Sequence, residues 1–176
     1  MKGKLLIWLP FAAFAALALL FVAGLLRPDD RLIPSKLVGK PLPDFALPAA
    51  ASDRPALSSA EFAQGKPRFV NIFASWCVPC AAEAPQIAAM AQAGAPIDGI
   101  AIRDARADVD AFLKRHGNPY SRIGLDARSS VQLALGSSGV PETFLIDGQG
   151  RILHQHIGDI RADDVPELLK MWRAAQ

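Results

Sequence analysis

With 176 residues, 51% of them hydrophobic, and 19 Lys and Arg against 17 Asp and Glu for a net charge of +2, the chain has room for one ordinary domain. Beyond the first apolar stretch, basic and acidic residues are mixed and form no basic stripe, so no nucleic-acid partner is expected.

Residues 5–26 carry no charge and would span roughly 33 Å as a helix, enough to cross a bilayer. A cleaved signal peptide would have a shorter apolar core ending in a small-residue site. The A-x-A pattern Ala16-Leu17-Ala18 instead lies inside this stretch. An uncleaved transmembrane anchor is expected. Lys2 and Lys4 on one side barely outweigh Arg27 and Arg31 on the other. A short tail, 1–4, is nevertheless easily kept in the cytoplasm while the domain is exported. Residues 27–40, with Pro28, Asp29, Asp30, Pro34 and Gly39, read as a tether, and the domain is expected over 41–176.

Within that domain, 44–47 alternates like a short strand, and Ser58 or Ser59 is placed to cap a short helix carrying Phe62. The run 69–73 (FVNIF) predicts a buried strand, and 78–93 a helix. A strand over 97–102, a helix over 107–116 closed by Gly117, and a short strand over 123–125 follow. Segments 143–147 and 151–157 flank Gly148-Gln149-Gly150 and predict an antiparallel hairpin. Val165, Leu168, Leu169 and Trp172 form the apolar stripe of a last helix over 165–175. The order implies an α/β fold with a mixed sheet flanked by helices, its site at the strand ends.

That is where Cys77 and Cys80 fall, in the segment Trp76-Cys77-Val78-Pro79-Cys80. At a strand-to-helix junction the unpaired N–H groups of the first turn favour a thiolate, which makes Cys77 the nucleophile. Cys80, one turn on, is placed to resolve a mixed disulfide. Pro79 removes a donor that had no helical partner. A zinc knuckle lacks ligands, because there are no other cysteines and His116, His154 and His156 lack the spacing; no metal is expected. Haem attachment needs a histidine where Ala81 stands. A structural disulfide closing so small a loop would restrain little chain entropy.

The segment 71–80, NIFASWCVPC, resembles the active-site segment of the thioredoxin superfamily. Three further segments, 117–120 (GNPY), 139–147 (GVPETFLID) and Gly158-Asp159, resemble the cytochrome c maturation branch called CcmG or DsbE, a likeness that runs from about Gly39 onward. The resemblance implies a thioredoxin-like fold in which Pro141 is a cis-proline facing the cysteines. Val140 would then offer its backbone to an extended client. It also implies acidic groups near the thiols, for which Glu83 and Glu142 are the candidates, each able to oppose the thiolate and to take a proton from Cys80. Asn71 stands where ordinary thioredoxins carry a buried aspartate, and it is expected to satisfy buried backbone groups. Trp76 is expected to contact client beside Cys77. Tyr120 and the histidines are given no role.

With no third cysteine the pair needs an external reductant and no cofactor. By resemblance the reductant is a membrane thiol electron donor of the DsbD or CcdA type. The client is then the C-x-x-C-H disulfide of apocytochrome c, or a cytochrome maturation protein, in the bacterial periplasm at the inner membrane. The alternatives are a general periplasmic thioredoxin of the TlpA or ResA kind and a Cu(I)-binding module of two thiolates and a histidine. A thiol peroxidase fits less well, since those sites use a lone peroxidatic cysteine.

Overall fold

The computed structural model describes residues 2–25 and 34–176, with side chains described over 8–24 and from 34 onward. The chain divides into two units, the N-terminal segment and Ile33–Gln176. In the first, helix α1 covers Lys2–Leu25 with Pro10 inside it, and its described side chains are exposed. Among the described residues no helix is long and apolar enough to cross a membrane. Leu26 and residues 27–33, the start of the expected tether, lie outside the described residues.

The second unit is built on a sheet of order β5-β4-β3-β6-β7, comprising β3 (Arg68–Phe73), β4 (Ile97–Ile102), β5 (Ile123–Asp126), β6 (Glu142–Ile146) and β7 (Ile152–Ile157). β3, β4 and β5 are parallel, whereas β6 and β7 run antiparallel. The parallel pairs are joined through α2 (Val78–Gln92) and α3 (Arg106–His116), as parallel crossovers require. The last helix, α5 (Val165–Ala174), buries Leu168, Leu169 and Trp172 and donates the Trp172 indole N–H to the Pro67 carbonyl.

Alternation along β3 assigns the two faces. Asn71 and Phe73 face the helices: Asn71 bonds Glu83 of α2, and the Phe73 ring lies 5.7 Å from Phe112 of α3. Arg68 points to the opposite face, over the Phe62 ring. A hairpin of β1 (Ala46–Leu47) and β2 (Leu57–Ser58), a 3-10 turn over Ser59–Phe62 and a short α4 (Ser130–Ala134) accompany the second unit. Leu47 and Leu57 of the hairpin pack on Gly124 of β5.

Two expectations need correction, and one helix is added. Residues 34–40 are fastened to the domain instead of serving as tether. Ser35 is buried, with its N–H on the Gln155 side chain and its hydroxyl on the Leu135 carbonyl, and Gly39 and Lys40 exchange backbone bonds with Ile152. Ser58 makes no side-chain cap; the Ser59 hydroxyl accepts the Phe45 N–H. Helix α4 went unread, because five residues are too short for periodicity. Its first turn is held by the Asp126 carboxylate, which accepts the N–H groups of Ser130, Val131 and Gln132 at 2.8 to 2.9 Å.

The chain preceding the main strands covers the β5 edge and the start of the β7 edge. Ala50 N–H and the Pro48 carbonyl bond to Ile123 and Leu125 of β5, while Gly39, Lys40 and Leu42 bond at Gly150 and Ile152 beside the start of β7.

Gly99 of β4 is where the packing leaves least room. A Cβ there would sit 2.9 Å from the Phe73 ring and 3.3 Å from that of Tyr120, two rings stacked with centroids 5.0 Å apart. Phe112 backs Phe73, so the stack has little freedom to yield. Gly99→Ala should therefore destabilise the domain by roughly 1–3 kcal/mol, read as a lower urea midpoint. An unchanged midpoint would show that the stack has slack.

Candidate active site

β3 ends at Phe73, and the turn 74–76 delivers Cys77 to the N-cap position of α2. There its Sγ accepts the Cys80 N–H at 3.1 Å, the geometry in which a helix N-terminus favours negative charge on sulfur. Cys77 and Cys80 are joined as a disulfide, with Cα atoms 5.2 Å apart. Both are nearly covered, at 5% and 3% exposure, whereas the flanking Trp76 and Val78 are exposed to 56% and 80%. An apolar rim thus borders the disulfide.

The turn is fixed from the side by the segment that follows β4. Asp104 accepts the Ser75 N–H at 2.6 Å and its hydroxyl at 2.7 Å, and the Trp76 indole N–H reaches the Arg103 carbonyl at 3.2 Å. Ser75 and Asp104 escaped the sequence reading, since their pairing spans two loops with no shared motif.

Beneath the disulfide, on the buried side of α2, lies Glu83, 2% exposed. Its Oε1 accepts from Asn71 Nδ2 and its Oε2 from the Ile160 N–H, both at 2.9 Å. Burial pushes its pKa from 4.5 to about 7, opposed by these two hydrogen bonds and reinforced by Asp159. Asn71 does not serve backbone groups, as the sequence suggested. It also donates to Thr143 Oγ1 at 3.0 Å, and its Oδ1 accepts the Tyr120 hydroxyl at 2.7 Å. Tyr120, for which the sequence indicates no role, is thus the outer member of a buried polar chain. Burial, then the Glu83 charge, pushes its own pKa well upward. The signal was its place in GNPY.

The Val140–Pro141 bond is cis, with Pro141 buried and Val140 half-buried. The Pro141 carbonyl accepts the Gly158 N–H at 3.0 Å, whereas the Val140 backbone makes no hydrogen bond among the described residues. Glu142 is placed differently from the expectation that it might join Glu83. Thr143 points toward Asn71, so strand alternation turns Glu142 to the other face. There Oε1 accepts from the Ser138 N–H and hydroxyl and from the Gly139 N–H at 2.8 to 3.1 Å, and Oε2 from Gln155. Its carboxylate braces the loop before the cis bond.

The Glu83 environment has a measurable consequence for stability. Folding raises this pKa, so the folded protein holds the proton between about 4.5 and about 7 while the unfolded chain has lost it. Stability should therefore fall as pH rises through that window, by about 3 kcal/mol from this group, and level off above it. Asp98, raised to about 6 by burial against the pull of Arg68, adds a slope of the same sign. Urea unfolding of oxidised Glu83→Gln across pH 4–8 should show a distinctly flatter dependence than the parent. Equal slopes would mean that Glu83 is not the titrating group.

Residues 37–171 match the Redoxin family. The chain is 36% identical to the thiol:disulfide interchange protein DsbE homolog of Paracoccus denitrificans, covering 94% of each chain. It is 34% identical to the thiol:disulfide interchange protein HelX of Rhodobacter capsulatus, over 92% of this chain and 91% of that one. Among solved structures, a thioredoxin-family thiol:disulfide interchange protein from Chlorobium tepidum shares the fold, with a TM-score of 0.62 and 24% identity over 81% of this chain and 99% of that one. A disulfide capping a helix, a cis-proline loop and these relatives lead to one assignment: the chain belongs to the Redoxin family, in its DsbE branch, and is a thiol:disulfide oxidoreductase.

Proposed function

We propose that this protein is a dithiol reductant working outside the cytoplasm, held in the bacterial inner membrane by residues 5–26 with residues 1–4 on the cytoplasmic side. Its client, in this reading, is the C-x-x-C-H disulfide of apocytochrome c or a mixed disulfide with a cytochrome maturation protein. One observation carries the reading: a buried carboxylate titrating near neutrality lies one helical turn below the disulfide that caps α2. Such a group suits the proton transfer that a resolving thiol requires.

The reaction starts from the reduced pair. Cys77 Sγ, as thiolate, attacks one sulfur of the client disulfide; that S–S bond breaks, the departing sulfur takes up a proton, and client and Cys77 are joined. Cys80 then gives its proton to Glu83 and attacks Cys77 Sγ. The mixed disulfide breaks, the second client sulfur leaves and is protonated, and two electrons have passed to the client. Trp76 lines the approach and Val140 offers its unbonded backbone to the client chain, packed beside Pro141. Glu142 acts here by holding the 138–139 loop. Both cysteines end oxidised, and there is no third, so a membrane donor of the DsbD or CcdA type must restore them.

Trapping in cells tests the division of labour. Cys80→Ser should accumulate a reducible adduct in the membrane fraction with residues 5–26 retained, and Cys77→Ser little or none. Mass spectrometry of the adduct names the client. Apocytochrome c or a maturation component supports the proposal, whereas a broad set of exported proteins points to a general thioredoxin. Adducts through either cysteine alike would overturn the assignment of Cys77, and an N-terminus near Arg27 would overturn the anchor.

A further inference from the structure

Arg103 and Ser129 are the two non-glycine residues among those described whose backbones lie in the left-handed region, at φ of 46° and 57°. Side chains with a Cβ rarely adopt that conformation, and glycine would take it freely. The chain keeps side chains at both places, and those side chains meet: Arg103 Nε donates to Ser129 Oγ at 3.0 Å. Ser129 is fully buried, although Arg103 is exposed. Neither takes part in the sulfur chemistry.

What the pair connects is more telling. The Arg103 carbonyl holds the Trp76 indole N–H, and the Arg103 and Ser129 N–H groups both bond to the Asp126 carbonyl. The Ser129 carbonyl accepts the Leu133 N–H of α4, and Gln132 of that helix donates to the Gly139 carbonyl, next to Val140. A continuous hydrogen-bonded path therefore runs from the tryptophan beside Cys77 to the loop that ends in the cis-proline. Strained backbone retained next to a reactive group points to a use for it.

We infer that Arg103 and Ser129 are positioning residues whose side-chain bond sets the spacing between the Trp76 rim and the 139–140 loop, and so governs the fit of an extended peptide client. This rests on the proposal that Trp76 and Val140 contact the client. A disulfide too small to touch both walls is indifferent to the spacing.

The test uses the full-length protein with dithiothreitol as electron source. Two substrates are compared, a peptide containing a C-x-x-C disulfide and hydroxyethyl disulfide. Arg103→Gly accepts the left-handed backbone but lacks the donor. Arg103→Gln places Nε2 as many bonds from the backbone as Arg Nε, without the charge. Arg103→Gly should raise KM for the peptide about tenfold with kcat unchanged, leave hydroxyethyl disulfide unaffected, and be rescued by Arg103→Gln to within about twofold of the parent. Hydrogen exchange of the Trp76 indole N–H should also quicken about tenfold in Arg103→Gly, a readout independent of any client. Equal losses on both substrates, no loss on the peptide, or an unchanged indole exchange rate would overturn the inference. Failure of Arg103→Gln to rescue would overturn it too, by showing that the charge acts instead of the bond. A parent protein that reduces only the small disulfide would count against the peptide-client reading, and the indole measurement would still decide the coupling.

Discussion

Placing a carboxylate against the covered face of a sheet is the constraint around which this domain is arranged. Glu83 cannot remain there without donors, and the central strand supplies one from Asn71, between Phe69 and Phe73. Asn71 in turn has an oxygen to satisfy, and the Tyr120 hydroxyl reaches it from the segment that follows α3. Gly99 leaves the space in which the Tyr120 ring lies along Phe73. The loop after β7 completes the arrangement with the Ile160 N–H. Contributions from β3, α2, the segment before β5 and the loop before α5 thus converge on one side chain beneath the disulfide, so that the packing of the core fixes the surroundings of this carboxylate.

The two glutamates divide different tasks by a single residue of strand register. Thr143 and Glu142 are neighbours, yet one joins the buried chain below the cysteines and the other braces the loop on the opposite face. Carboxylates in a sequence motif do not declare their face. Only the register of β6 against β3, with Asn71 opposite Thr143, decides it.

Much of this was legible in the sequence where local physics governs. The run FVNIF, the CxxC at its end, the hairpin around Gly148-Gln149-Gly150 and the stripe of Leu168, Leu169 and Trp172 follow from period and turn chemistry, and the structure has them within a residue or so. What stayed hidden was held by contacts distant in sequence. Asp104 meets Ser75 across 29 positions, Tyr120 meets Asn71 across 49, and Ser35 meets Gln155 across 120. Pattern reading sees none of these. The 34–40 segment reads as a tether because its proline and glycine are equally suited to a strap bonded edge-on to the sheet.

That strap and the segment after it have a further effect. The β5 edge is bonded to residues 48–50, and Ile152 at the opening of β7 to residues 39–40, so at those places the sheet lacks the free N–H and C=O groups that recruit a foreign strand. With the β5 ladder occupied by the protein's own backbone, that side of the sheet gives an extended chain no row of free groups on which to build another strand.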